Sequence, residues 1–455
     1  MSRLLISAAH KSSGKTTVSL GLCAALAERG LAVQPFKKGP DYIDPMWLGQ
    51  AAGRPCHNLD FYCMTHDEIL AAIGRYSLDA DISLIEGNKG LYDGLDLHGS
   101  NSNAALATLT HTPVILVLDA RGMTRGIAPL ILGYQGFDPA VKIAGVILNQ
   151  LGGSRHEAKL RAVIEHYTDV PVIGGVHRNP ALLIDERHLG LIPSNEASTA
   201  DKKIIEIRDR INDQVDLDRL LAVAGDDTLD VTPPPPVNAL TTPTVRIGIA
   251  QDAAFGFYYP DDLAALQQAG AELVPFNTLT DTSLPVVDGL FIGGGFPESH
   301  LQTLAGNTAL CADIRRAIEG GLPAYAECGG LMYLSRSIAW NGKQSEMVGV
   351  IPADTVMHDR PQGRGYVRLR ETADAPWPSD APAGEFAAHE FHYSSLENMT
   401  ESLTFAYEVL RGTGIDGQHD GIVINNLLAC YSHMRDTRQH HWARRFVDFV
   451  RSCRN

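Results

Sequence analysis

Short apolar runs and helix-period stretches alternate along the first 225 residues. Arg3–Ser7, Ala32–Phe36, Ile82–Ile85, Val114–Leu118, Ile143–Leu148 and Val172–Gly175 have the length and composition of strands. Val18–Arg29 has helical period and stops at Gly30, a residue suited to the left-handed turn that closes a helix. This alternation predicts a parallel sheet with helices on both faces. The pattern breaks over residues 226–243. Four prolines at 233–236 remove backbone donors there and favour an extended spacer. Val245–Ala250 then opens a second half in the same style, with strands at Leu290–Ile292 and Ala324–Ala326 and a helix at Asp261–Ala269. The expectation is an α/β chain of two domains, 1–225 and 244–455, with a proline-rich linker at 226–243. No fixed-period repeat is visible.

Bulk properties narrow the function. A length of 455 residues suits two or three domains. The formal net charge of −15, without a long basic run, argues against a nucleic-acid partner. No apolar segment reaches the length of about eighteen residues that a membrane span needs. The N-terminal apolar stretch is too short for a signal peptide. Seven cysteines, an odd number without paired spacing, suggest a reduced, cytoplasmic compartment. The absence of Cys-x-x-Cys argues against structural zinc of that type. A homodimer is compatible with the sequence, which leaves the oligomeric state open.

The first chemical signal is the segment Ala9-His10-Lys11-Ser12-Ser13-Gly14-Lys15-Thr16-Thr17. It follows a predicted strand and opens a predicted helix, the context of an ATP-binding phosphate loop. Backbone N–H groups and a helix N-terminus would face the phosphates, Lys15 would reach the outer ones, and Thr16 would ligate Mg²⁺. Ala9 stands where the first glycine of the motif is usual, so a variant loop shape is expected. Two acidic clusters follow strand ends: Lys37-Lys38-Gly39-Pro40-Asp41-Tyr42-Ile43-Asp44-Pro45 and Glu86-Gly87-Asn88-Lys89-Gly90-Leu91-Tyr92-Asp93-Gly94. Carboxylates at the C-terminal ends of strands beside a phosphate loop suit Mg²⁺ and substrate contacts. Either cluster alone reads equally well as a solvated turn; the two together favour function. Pro45 predicts an extended backbone at Asp44.

The second signal is Ala326-Glu327-Cys328-Gly329-Gly330 after an apolar run. It has the form of a nucleophile on a tight strand-to-helix turn, with the Gly329 N–H available to an oxyanion. Gly293-Gly294-Gly295 follows another strand; by itself it is a tight turn, and beside a nucleophile it is a candidate oxyanion loop, with Gly294 and Gly295 as donors. Cys328 needs a base. His433 ends the strand-like run Leu427–Ser432 and fits best, with His389 and His392 in a second strand-like alternation.

With both halves in view, the chain resembles the cobyrinate a,c-diamide synthase family over nearly its full length. The matching strings are Lys-Gly-Pro-Asp-Tyr-Ile-Asp-Pro at 38–45, Glu-Gly-x-x-Gly-Leu-Tyr-Asp-Gly at 86–94, Gly-Gly-Gly-Phe-Pro-Glu at 293–298, Ala-Glu-Cys-Gly-Gly at 326–330 and Glu-Phe-His-Tyr-Ser at 390–394. The resemblance implies a dethiobiotin-synthetase-like phosphate-loop NTPase domain followed by a class I glutamine amidotransferase-like domain. It implies that Cys328 attacks the glutamine amide while His433 handles protons. Thr16 and Glu86, with Asp41 or Asp44, would hold Mg²⁺. Tyr42, Asp44 and Asp93 would shape the site where a substrate carboxylate is phosphorylated. No glutamate stands two residues after His433, so the family class supplies no third member of a triad. The phosphate loop and the tail Tyr-Ser-His-Met-Arg at 431–435 look closer to a sirohaem amide synthase branch.

The implied reaction is ATP- and glutamine-dependent amidation of the a and c acetates of a tetrapyrrole polycarboxylate, of cobyrinate or sirohaem/sirohydrochlorin type, through an acyl phosphate. The cofactors are ATP and Mg²⁺, and the partners are L-glutamine and the tetrapyrrole. The rival readings are an amidotransferase for a non-tetrapyrrole acid, and a nucleotide-switch or metal-insertion protein with an inactive amidase-like domain.

Overall fold

The computed structural model describes residues 2–180, 184, 186–187, 190–196, 199–225, 243–377, 384–400 and 403–454. The chain divides into two compact units, Met1–Pro234 and Pro235–Asn455. The proline-rich segment expected at 226–243 lies outside the described residues except for Pro243.

The first unit is built on seven strands: β1 (Ser2–Ala8), β2 (Val33–Lys38), β3 (His57–Leu59), β4 (Ile82–Glu86), β5 (Val114–Asp119), β6 (Ile143–Leu151) and β7 (Val172–His177). Their order is β3-β2-β4-β1-β5-β6-β7, and every pairing is parallel. Alternation along β1 shows why helices cover both faces. Leu4 and Ile6 pack into one core with α1 (Lys15–Glu28), and Leu5 packs into the opposite core. The six expected strands are present, several with longer ends. The seventh, β3, was not expected: His-Asn-Leu is too short and too polar for an apolar run to reveal it.

A second departure lies at Asp44. The segment is helical, α2 (Ile43–Ala52), instead of extended. Pro45 is the third residue of that helix, within the first turn, where a missing N–H costs no intrahelical bond. The Asp41 carboxylate accepts the Ile43 and Asp44 N–H groups at 3.0 and 3.1 Å and so starts the helix.

The second unit departs from the all-parallel expectation. Its main sheet has nine strands. Five are parallel: Ala271–Phe276, Val245–Ala250, Gly289–Ile292, Ala324–Glu327 and Leu427–Cys430. Four more extend it antiparallel, namely His419–Ile424, Thr404–Arg411, Gly363–Glu371 and Glu385–His392. Among the described residues no helix lies between these last four along the chain, and antiparallel pairing does not need the crossover that parallel pairing does. One face of the sheet packs Ile247, Phe291, Tyr325 and Leu428 against Trp442 and Phe446. The other packs Leu290, Ile292, Ala326 and Ala429 against Leu331 and Leu334.

Candidate active sites

In the first unit the chain between β1 and α1 wraps tightly. Gly14 has φ +84°, and a β-carbon there would lie 2.1 Å from Asn149 Nδ2. Only glycine meets both conditions. Asn149, near the end of β6, donates to the Ser13 carbonyl at 2.8 Å and braces the loop. Ser13 Oγ donates to the His10 carbonyl at 2.8 Å, and Ser12 takes φ +64°. Lys15, Thr16 and Thr17 open α1. The Lys15 ammonium donates to the Lys89 carbonyl at 2.7 Å. Burial lowers its pKa, against the attraction of Glu86.

The two acidic clusters converge on Thr16. Its hydroxyl lies 2.9 Å from Glu86 Oε1 and 3.3 Å from Asp44 Oδ2. Lys37, at the end of β2, sits among the carboxylates: Nζ is 2.5 Å from Asp44, 2.9 Å from Glu86 and 3.6 Å from Asp41. Burial works to lower the Lys37 pKa, but the three carboxylates outweigh it and raise it well above the ordinary lysine value. Burial raises the Glu86 carboxyl, against the pull of Lys37. Burial, then the Asp44 charge, lifts Asp41 to about 7. Asp93 turns back to accept the Gly90 N–H at 2.9 Å, in a segment where the Leu91 N–H bonds the Ala8 carbonyl at 2.8 Å beside the phosphate loop. Tyr42 is the buried residue immediately before α2.

Among the described residues, no three His, Cys, Asp or Glu side chains are disposed to hold a metal ion by themselves. The group does fit Mg²⁺ bound jointly with phosphate. The donors are hard oxygens, and Glu86 Oε2 is buried without a hydrogen-bond partner. Mg²⁺ commonly takes only one or two protein carboxylates and completes its shell with phosphate and water.

In the second unit Cys328 sits between the strand Ala324–Glu327 and the short helix Gly329–Leu334, with φ 46° and ψ −101°. That strained backbone for a non-glycine residue is the geometry of a nucleophile elbow. The Cys328 N–H donates to the Cys430 carbonyl at 2.7 Å and ties the elbow to the neighbouring strand. The glycines permit close approach. A β-carbon on Gly330 would stand 2.1 Å from the Ile292 carbonyl oxygen, and one on Gly329 2.9 Å from the Gly295 N. The triple-glycine loop lies against the elbow, and a β-carbon on Gly294 would meet His433 Cε1 at 2.7 Å.

His433 Nδ1 lies 3.3 Å from Glu327 Oε2, and the Cys328 thiol, 4.0 Å from the Phe391 carbonyl oxygen, is near enough to act on its charge. Burial alone would lower its pKa; the influence of Cys328 and Glu327 wins and raises it to about 10. His389 pairs with His433 through the backbone, and their rings stack at 4.9 Å. Burial, then the His433 charge, holds His389 well below the ordinary histidine value. His392 stacks on Tyr431.

Sequence reasoning assigned no role to Glu327, Lys37 or Asn149. Each had a signal of the same kind: a polar residue at the end of an otherwise apolar strand run.

Two family models cover most of the chain. The CobQ/CobB/MinD/ParA nucleotide binding domain matches residues 5–192, and the CobB/CobQ-like glutamine amidotransferase domain matches residues 246–439. A cobyrinate a,c-diamide synthase of Magnetococcus marinus is 47% identical across 97% of this chain and 95% of its own length. The synthase of Methanosarcina acetivorans is 43% identical, covering 95% and 92% of the two chains. That of Listeria monocytogenes is 39% identical, covering 95% and 96%.

The chain belongs to the cobyrinate a,c-diamide synthase family.

Within that family the protein is an enzyme, an ATP-using carbon–nitrogen ligase with glutamine as amido donor. It has the family's nucleotide-binding α/β unit first and its amidotransferase α/β unit second. No described helix is long and apolar enough to cross a membrane.

Proposed function

We propose that this protein amidates the a and c acetate side chains of cobyrinate, with ATP and glutamine as co-substrates, in the cytoplasm. The observation that carries the reading is the coexistence of two assembled sites in one chain. Thr16, Lys37, Asp44 and Glu86 gather beside a phosphate loop, and Cys328 and His433 gather at a nucleophile elbow. We assign residues 1–225 to ATP-dependent activation and 244–455 to ammonia release.

A carboxylate is a poor acyl donor because its leaving group would be oxide. Its oxygen attacks the γ-phosphorus of ATP, ADP leaves, and an acyl phosphate forms. The loop from Ser12 to Thr17 presents backbone N–H groups to the phosphates, and the Lys15 ammonium reaches the outer ones. Mg²⁺ supplies charge neutralisation on the phosphates and would be held by Thr16 and Glu86. Asp44 is favoured over Asp41 as the accompanying carboxylate, because Asp44 contacts Thr16 while Asp41 caps α2. Tyr42 and Asp93 flank the place where the reacting acetate binds.

In the second unit the Cys328 thiolate attacks the side-chain amide carbon of glutamine. His433 protonates the departing nitrogen, which leaves as ammonia. Water then cleaves the thioester and releases glutamate. Gly294, Gly295 and Gly329 are the candidate donors to the oxyanion. Ammonia displaces phosphate from the acyl phosphate to give the amide. Two amidations consume two ATP and two glutamine.

The full-length relatives named for cobyrinate favour that substrate. The variant phosphate loop and the 431–435 tail favour sirohaem as the second reading. Mass spectrometry of cobyrinate and sirohaem, each incubated with enzyme, ATP, Mg²⁺ and glutamine, tests both. A gain of two amide groups on cobyrinate alone is expected. A product on sirohaem alone moves the assignment, and no product on either defeats the tetrapyrrole reading.

A further inference from the structure

The pairing of Cys328 with His433 leaves one chemical requirement open. A base imidazole must turn Nε2 toward the thiol and keep its proton on Nδ1, which needs an acceptor fixed behind it. The position two residues after His433 is Arg435. Its guanidinium pairs with Asp261 at 2.6 Å and lies over the Tyr259 ring at 4.5 Å, so that place holds a cation.

We propose that Glu327 is the positioning residue for His433, so that the carboxylate behind the base comes from the residue immediately before the nucleophile. This rests on the amidotransferase reading above and goes further by completing its catalytic group. Glu327 Oε2 lies 3.3 Å from His433 Nδ1, and both side chains are 3% exposed. The other oxygen is fixed independently. Oε1 accepts the Met434 N–H at 2.9 Å and the Tyr325 hydroxyl at 2.5 Å. Tyr325 and Glu327 are two apart on one strand and so share a face, which lets the hydroxyl reach the carboxylate. The carboxylate cannot swing away from the imidazole without losing both bonds. The Met434 bond also ties it to the backbone of the residue next to the base.

The other buried acids nearby are committed elsewhere. Asp420 accepts the N–H groups of Gly421, Tyr431 and Ser432 at 2.9, 3.0 and 2.9 Å. Glu390 accepts those of Thr413 and Gly414, both at 2.8 Å. Both hold backbone in place. Placing the carboxylate and the nucleophile on consecutive residues has a physical consequence. The elbow that exposes the Cys328 thiol turns the chain sharply just after Glu327, so one strand end supplies both groups to the same imidazole.

The test is Glu327→Gln. The amide keeps an acceptor for the Met434 N–H but offers Nδ1 a donor, which favours the wrong tautomer. Glutamine-dependent kcat/KM should fall by up to about 10⁴-fold, the loss seen when a triad carboxylate is neutralised. Amidation with added ammonium should remain at the wild-type rate. The pH profile of Cys328 alkylation by iodoacetamide should move to higher pH, a change that a purely structural role would not produce. Glutamine hydrolysis at the wild-type rate, or an unmoved alkylation profile, would overturn the proposal. If the variant does not fold, Glu327→Asp decides: the shortened side chain should cut the glutamine-dependent rate by about ten- to a hundredfold, as a positioning error of about 1 Å does, and a wild-type rate and alkylation profile would again overturn the proposal. A wild-type enzyme that releases no glutamate from glutamine would instead defeat the amidotransferase reading, before any variant is made.

Discussion

Lys37 and Glu86 meet at 2.9 Å with both side chains almost fully buried, the cation at the end of β2 and the carboxylate at the end of β4. Two further carboxylates, Asp41 and Asp44, share the same ammonium. Removing that cation leaves buried negative charge uncompensated. Lys37→Met should cost about 3–5 kcal/mol of stability, the range for breaking a buried ion pair from one side. Mg²⁺ should restore more stability to this variant than to the wild type. Thermal melts with Mg²⁺ and with a chelator give the comparison, and equal Mg²⁺ effects on both proteins would count against the shared site.

Asp44 and Asp41 should separate on substitution. Asp44→Asn removes a carboxylate beside Thr16 and Lys37, so nucleotide-dependent activation should drop about a hundredfold or more, as expected for misplaced reacting groups. Glutamine hydrolysis should persist. Asp41→Asn keeps an oxygen for the start of α2 and should act more mildly. Positional isotope exchange in ATP with the tetrapyrrole present reports the step; wild-type exchange in Asp44→Asn would return the role to Asp41.

The two sites should be separable by nitrogen source. Cys328→Ser should lose glutamine-dependent amidation and keep the ammonium-dependent reaction. Lys15→Ala should lose both and bind ATP more weakly, because a point charge on the outer phosphates is gone. Product yields with glutamine and with ammonium, measured side by side, check both variants. A Cys328→Ser protein that is folded but inactive with ammonium would break this division of labour.

Gly330→Ala should damage the elbow more than its single methyl group suggests. The new carbon would stand 2.1 Å from the Ile292 carbonyl, a backbone atom that cannot step aside alone. A loss of about 1–3 kcal/mol is expected from the overpacking, together with most glutamine hydrolysis. A melt and a glutaminase assay suffice, and unchanged values would mean that the elbow relaxes freely.

Acid stability should depend on Glu371. Burial would raise its pKa, but hydrogen bonds to His440 and Arg445 prevail and lower it from 4.5 to about 2. The folded value is depressed, so its contribution is present above 4.5 and is lost as pH falls toward 2. That contribution is on the order of 3 kcal/mol at neutral pH. Glu371→Gln should therefore be less stable than wild type at pH 7, with the gap closing over this acid window. Urea melts across that range measure it, and a gap independent of pH would assign the loss to packing.

Local information was enough for six of the seven strands of the first unit, for the strand and turn around Cys328, and for the helix that follows Lys15. Each depends on side-chain period or on glycine within a few residues. Period also misled. His57–Leu59 joins the sheet by backbone pairing that needs no apolar run, and Pro45 entered a helix because its first turn spares an N–H. The antiparallel half of the second sheet depends on which strands pair, a long-range choice that alternation alone does not encode. The same holds for Lys37 among three carboxylates and for Glu327 behind His433. The last two are 106 residues apart, and they meet because the strands Ala324–Glu327 and Leu427–Cys430 lie side by side in parallel register. Sequence determined which groups stand at strand ends; tertiary pairing decided which of those ends share a site, because a hydrogen bond is set by distance in space and not along the chain.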